Sequence, residues 1–105
     1  DNYTSNVAKM YYIAFDKIKN AKEFKDLLEY SDADIRNFKD ALNAERKISL
    51  YTLKAMIDEL KSNPKYYKQY NPVNQWGNYD GAIKFLKDAY AAMLISDDAC
   101  IHITW

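Results

Sequence analysis

Glycine and proline are nearly missing from this 105-residue chain, with two of each at Gly77, Gly81, Pro64 and Pro72. All four fall in one short stretch, so little outside it interrupts a helix, and helices are expected on either side. Cysteine occurs once, at Cys100, which excludes an internal disulfide and points to a reducing compartment. Histidine is also single, at His102. One Cys and one His fall short of the three or four protein ligands of a zinc site. Surplus charge is missing too: Lys plus Arg and Asp plus Glu each total 15. Generic duplex binding draws on an excess of cations over phosphates, and none is on offer. The longest apolar run, Ala89-Tyr90-Ala91-Ala92-Met93-Leu94-Ile95, stops far short of the ~20 residues that cross a bilayer, so no membrane insertion is expected. No basic-then-apolar leader opens the chain, and a start at Asp1 fits an initiator Met removed or lying upstream. Neither a Gly-rich phosphate loop nor a G-x-S-x-G elbow occurs.

What is present is apolar side chain and tyrosine. With 49% apolar and 29% charged residues, the chain has enough for one core and a charged surface, which excludes disorder and fits a single domain over residues 1–105. Ten tyrosines supply rings suited to a core with a wet edge, to recognition, or to a face between copies in a homo-oligomer.

Apolar spacing of three and four predicts about five helices. Ser5 caps the first, near 6–19, which turns Val7, Met10, Ala14 and Ile18 inward beside Tyr11 and Phe15. Asn20 caps a second over 21–30 around Phe24, Leu27 and Leu28. Ser31 caps a third over 31–42 that buries Ile35, Phe38, Ala41 and Leu42, with acids in its first turn. Ser49 caps a fourth over 49–61 with Leu50, Leu53, Ile57 and Leu60 at 3-4-3 spacing. Pro64 either stops this helix or opens a short turn of helix through Tyr67. Asn78 caps a long last helix to Ile95, with Ile83, Leu86, Tyr90 and Met93 repeating the spacing. Beyond it, Ala99, Ile101, Ile103 and Trp105 alternate as in a short β-strand, for which the N-terminal Asn2-Tyr3-Thr4 is the available partner. The expected fold is mainly α, one compact domain with that terminal strand pair.

Catalysis finds little footing. Cys100 and His102 share one strand face and pair in principle as nucleophile and base, but no third group orients them. They read as a structural thiol and an edge histidine, and Asp97-Asp98 as a solvated turn. No catalytic residue, metal or cofactor is expected; the chain reads as a binding protein and not an enzyme.

Residues 61–80 are the most informative segment. Tyr66, Tyr67, Tyr70, Trp76 and Tyr79 alternate with Lys61, Lys65 and Lys68, and amides come from Asn71, Asn74, Gln75 and Asn78. Rings sandwich a flat ligand, lysines meet phosphate, and the loop feeds a helix start whose N–H groups favour anions. Gly77 allows a tight turn and Gly81 a close approach. Asp80 opposes an anion there. Packing alone is the competing reading, in which Trp76 plugs the gap between the fourth and fifth helices. Residues 20–60, three short helices in succession, raise a second possibility. They resemble the phage-repressor type of helix-turn-helix domain, in which residues 31–42 would enter a DNA groove. Asp32, Asp34 and Asp40 outnumber Arg36 and Lys39 there, which disfavours DNA.

Two motifs carry a family resemblance. The opening Asn2-Tyr3-Thr4-Ser5-Asn6-Val7-Ala8-Lys9-Met10-Tyr11 is similar to the N-Y-T-x-N-V-x-x-M-[WY] start of small proteins encoded by tailed phages and prophages. Their later N-P-x-N-x-W-G-x-Y-[DE] motif is similar to Asn71-Pro72-Val73-Asn74-Gln75-Trp76-Gly77-Asn78-Tyr79-Asp80. The terminal Trp105 departs from the polar or basic end of that pattern. The resemblance implies a phage origin and action in the cytoplasm of an infected bacterium, and it names no reaction. It also pairs the two motifs into one candidate site: Asn6, Met10 and Tyr11 from the first helix, with Lys65, Lys68, Asn71, Asn74, Trp76, Gly77 and Tyr79. The expected ligand is a small planar or nucleotide-like molecule, such as a host immune signal to be sequestered, or a host protein to be inhibited.

Overall fold

Leu53, Met56 and Leu60 point along one side of the helix that every other described helix touches. The computed structural model describes residues 8–31, 33–70 and 78–95. These form six helices: α1 (Ala8–Ile18), α2 (Lys22–Ser31), α3 (Phe38–Leu42), α4 (Arg46–Ser62), α5 (Pro64–Lys68) and α6 (Tyr79–Ile95). α4 is the spine and packs against each of the other five. No strand occurs among the described residues. The strand expected near the C-terminus and its N-terminal partner lie outside them. A radius of gyration of 13.4 Å is that of a compact chain of this length. None of the helices among the described residues is long and apolar enough to cross a membrane.

The core follows the expected apolar faces. Met10, Tyr11, Ala14 and Phe15 of α1 are buried against Ile48, Leu53, Met56 and Leu60 of α4 and Ala82 and Leu86 of α6, within one cluster. Each fully buried large side chain contributes about 1.5–3 kcal/mol relative to exposure. Aromatic pairs knit the short helices in: Tyr11 to Phe38 at 5.3 Å between centroids and Phe15 to Phe24 at 5.7 Å, edge to face.

α4 and α6 run antiparallel and are clasped at both ends. Tyr79 at the start of α6 donates its hydroxyl to the Leu60 carbonyl near the end of α4. Arg46 at the start of α4 donates to the Met93 carbonyl in the last turn of α6. A third clasp crosses from α1, where the buried Tyr11 hydroxyl donates to the Ala82 carbonyl at 3.0 Å. The Leu60 and Met93 carbonyls lie in last turns, where a helix leaves acceptors available, whereas Ala82 in the first turn of α6 accepts the Tyr11 hydroxyl on its second lone pair.

Three of the expected caps act elsewhere. Asn20 donates Nδ2 to the Asp16 carbonyl at 2.9 Å, closing α1 instead of opening α2. Ser49 lies inside α4, which starts at Arg46, and is buried. Its Oγ sits 2.9 Å from the Leu42 carbonyl oxygen and 3.2 Å from those of Ala41 and Ala44. With one proton it donates to one of them at a time, and it holds the carbonyl end of α3.

The largest correction concerns residues 31–42, expected as one helix. Ser31 ends α2, residues 33–36 are not helical, and only Phe38–Leu42 is. Side chains supply the reason. Ser31 donates Oγ to the Leu28 carbonyl and accepts from Ala33 N, each at 3.3 Å. Asn37 Oδ1 accepts from Asp40 N at 3.0 Å, and Asp40 Oδ2 accepts from Arg36 N at 3.0 Å. Such local bonds compete with helical ones and move the helix start to Asn37. Ile35, Phe38, Ala41 and Leu42 still face the core. Pro64 does open α5 at its first turn, and Asn78 does cap α6, with Oδ1 accepting from Gly81 N at 2.8 Å.

Candidate functional site

α5 is short, and its tyrosines divide between inside and outside. Tyr67 is fully buried, and a buried phenol needs a partner. It donates its hydroxyl to Glu59 Oε2 at 2.7 Å. That carboxylate oxygen also accepts Asn63 Nδ2 at 3.1 Å and pairs with Lys17 Nζ at 3.2 Å. Glu59 thus joins α1, α4 and α5 at one point through charge-assisted bonds. Burial first, and then the hydrogen bond and negative charge of Glu59, push the Tyr67 phenol well above its ordinary value.

Tyr66, the preceding residue, stays 41% exposed. The Lys17 ammonium stands 4.5 Å from the centre of its ring and 5.6 Å from that of Tyr67. Tyr66 meets Tyr67 and Tyr70 edge on, at 5.1 and 5.8 Å between centroids. Lys9 places its ammonium 5.1 Å from the Tyr70 ring, and Lys68 does so 5.4 Å from the Tyr79 ring. Lys9 and Lys17 are eight positions apart on α1, two turns along the same face. Hydrogen bonding with Tyr66 is the leading cause raising the Tyr70 phenol, while burial and the Asp80 charge raise that of Tyr79. Tyr66 and Tyr70, with the Lys17 and Lys9 ammonium groups over their rings, thus form one face where α5 and the turn after it meet α1.

The expected site residues separate into three groups. Met10 and Tyr11 are fully buried, and Tyr79 is 6% exposed with its hydroxyl bound to a backbone carbonyl, so all three serve the core. Lys65 and Lys68 are exposed on α5. Asn6, Asn71, Asn74, Trp76 and Gly77 lie outside the described residues, as do Cys100, His102 and the Asp97-Asp98 pair. α1 does meet the start of α6, through Tyr11 and Ala82. The free anion-binding helix start expected at α6 has one of its N–H groups, that of Gly81, taken by Asn78.

Sequence reasoning passed over Lys9, Lys17 and Glu59. The Lys9–Ile13–Lys17 stripe, at steps of four, and the Tyr66–Tyr70 pair at the same step were the available signals. Glu59 had no comparable signal, because its donors come from α1, from α5 and from Asn63 at the junction of α4 and α5. Among the described residues, no group of three or more His, Cys, Asp or Glu is placed to hold a metal ion.

In residues 31–42, Asp34 pairs with Arg36 at 3.1 Å and Asp40 serves the cap of α3. α3 is five residues long, and Phe38, Ala41 and Leu42 of it are buried. Comparison with protein-family models, with curated proteins and with solved structures finds no match for this chain.

Proposed function

We propose that this chain is a non-enzymatic binding protein whose recognition face is the tyrosine–lysine cluster of α1, α5 and the turn after α5. The ligand we assign to it is planar and anionic, of the nucleotide type. One observation carries the reading: Lys9 and Lys17 hold their ammonium groups 5.1 and 4.5 Å from the ring centres of Tyr70 and Tyr66, two rings that meet edge on. A phosphate draws such ammonium groups, and the exposed Tyr66 ring offers a surface on which a base stacks. The resemblance of residues 2–11 and 71–80 to tailed-phage proteins supports reading it as acting in an infected bacterium, where sequestering a nucleotide-type immune signal would need no catalytic step.

A host protein held by the same face is the second version of the reading. The exposed ring of Tyr66, at 41%, favours it, since tyrosine is enriched at protein interfaces. A DNA-reading role for residues 31–42 is the weaker alternative, because the helix there is short and turns three of its five residues inward.

Isothermal titration against mononucleotides and cyclic dinucleotides tests the proposal. Binding that weakens with salt is expected, with Tyr66→Ala and Lys17→Ala each reducing affinity by about tenfold. No heat from any nucleotide, or binding untouched by Tyr66→Ala, sinks it.

A further inference from the structure

The seam between α4 and α6 is lined along much of its length by an open groove that the tyrosine–lysine face does not use. Two adjoining hollows, of about 450 and 300 Å³, share Lys87. The first is bordered by Lys61 and Lys84 beside Tyr79 and Ile83, with Asp80 and Asp88 at its edge. The second is apolar, floored by Ile57, Tyr90, Ala91 and Leu94, with Lys54 and Lys87 at its rim. Leu94 is 58% exposed and Ile95, beside it, 87%.

Charge is distributed unevenly here. Four lysines border the two hollows (Lys54, Lys61, Lys84 and Lys87) against two aspartates, Asp80 and Asp88. Lys84 and Asp88 pair with each other at 2.7 Å. The groove therefore carries a net positive charge in a chain whose total is zero. Its walls are helical. Lys54, Ile57 and Lys61 follow one another along α4, and Ile83, Lys87, Tyr90 and Leu94 along α6, a span of about 16 Å or three turns.

We propose that this groove docks an acidic amphipathic helix of a partner protein. A groove open along its length does not enclose a small ligand, whose sites bury most of its surface. It does accommodate a helix laid along it, with apolar side chains at steps of three and four on Ile57, Tyr90 and Leu94. Carboxylates flanking that apolar stripe meet Lys54 and Lys87 on the two walls. The surface is independent of the proposed nucleotide face, since Glu59 and Lys61 lie two positions apart on α4 and so about 200° apart around it.

The test uses the full chain and a fluorescein-labelled helical peptide with leucines at steps of three and four, flanked by glutamates. Its counterparts carry lysines in place of the glutamates, or serines in place of the leucines. The glutamate peptide binds, and both counterparts bind at least about tenfold more weakly. The double variant Lys54→Glu/Lys87→Glu, which alters two exposed side chains and leaves the core alone, reverses the preference and takes the lysine peptide. Tyr66→Ala leaves peptide binding unchanged, so failure of the nucleotide reading and failure of this one are separable. Equal binding of the glutamate and lysine peptides overturns the proposal, as does no binding of either. Loss of peptide binding in Tyr66→Ala overturns it too. A concentration-dependent dimer that Lys54→Glu/Lys87→Glu dissociates identifies a second copy as the occupant and overturns it as well.

Discussion

The two flanks of α4 are built on opposite principles. On one, Glu59 gathers Tyr67, Asn63 and Lys17, and the Lys17 ammonium rests over Tyr66, so charge and aromatic surface are matched within the molecule. On the other, Lys54, Ile57 and Lys61 border a groove that α6 does not fill. Both flanks share one row of core side chains. Burial by aromatic rings brings a carboxylate and a phenol into a fixed bond, whereas lysines at the rim of a groove keep their charge toward solvent and toward whatever enters.

Substitutions separate the two flanks by size of effect. Leu60→Ala strikes the shared row, and Leu60 is fully buried. A loss of about 2–5 kcal/mol is expected in urea unfolding, with both flanks failing together. A smaller loss that spares one flank would show that they are stabilised separately. Glu59→Ala strikes one flank alone and leaves the buried Tyr67 hydroxyl without its acceptor, for an expected cost of about 1–3 kcal/mol. The helices that bound the groove should retain their amide exchange protection in that variant.

Thr52 gives an effect of opposite sign. Its hydroxyl is buried with no hydrogen-bond partner among the described residues. Thr52→Val keeps the shape and removes the orphaned group, and a gain of roughly 1 kcal/mol is expected in the same unfolding measurement. The smallest change belongs to the groove flank. Lys54→Glu and Lys87→Glu should each shift stability by no more than about 0.5 kcal/mol, because both side chains project from the surface.

Alkaline titration sharpens the comparison further. The Tyr67 phenol is raised in the folded state, by burial first and by Glu59 second. The folded protein therefore keeps a proton that the unfolded chain surrenders near pH 10, and stability is intact below that value and falls as pH rises beyond it. Tyr67→Phe flattens this fall in pH-dependent unfolding, relative to the native chain. A fall of equal steepness in the variant would assign it to Tyr51, Tyr70 or Tyr79, whose phenols are also raised.

Much of the scaffold could be read from spacing. Helices expected over 6–19, 21–30, 49–61 and 78–95 correspond to α1, α2, α4 and α6, with ends displaced by a few residues. Apolar periodicity carries that information because one face of each helix must leave water. Asn78 acts as foreseen, since its cap needs nothing beyond three residues of chain. Ser31, Asn20 and Ser49 do not. Each bears the same hydroxyl or amide chemistry as a helix start, and which carbonyl or N–H lies nearest depends on how neighbouring helices approach. The candidate site divides in the same way. That residues 61–80 gather rings and cations was visible in the chain, but Lys9, Lys17 and Glu59 enter only when α1, α4 and α5 converge.

Tyr66 and Tyr67 state the division most sharply. The sequence by itself determined that two phenol rings sit side by side just after Pro64, a residue that either stops a helix or opens one, within a mainly helical chain whose apolar faces had to be buried. It did not distinguish them, because identical side chains have identical local preferences. The tertiary structure decided that Tyr67 turns inward to Glu59 while Tyr66 stays at the surface beneath Lys17. The reason is that a buried hydroxyl is tolerated only where an acceptor waits, and that acceptor is supplied by a helix turn eight residues away in sequence.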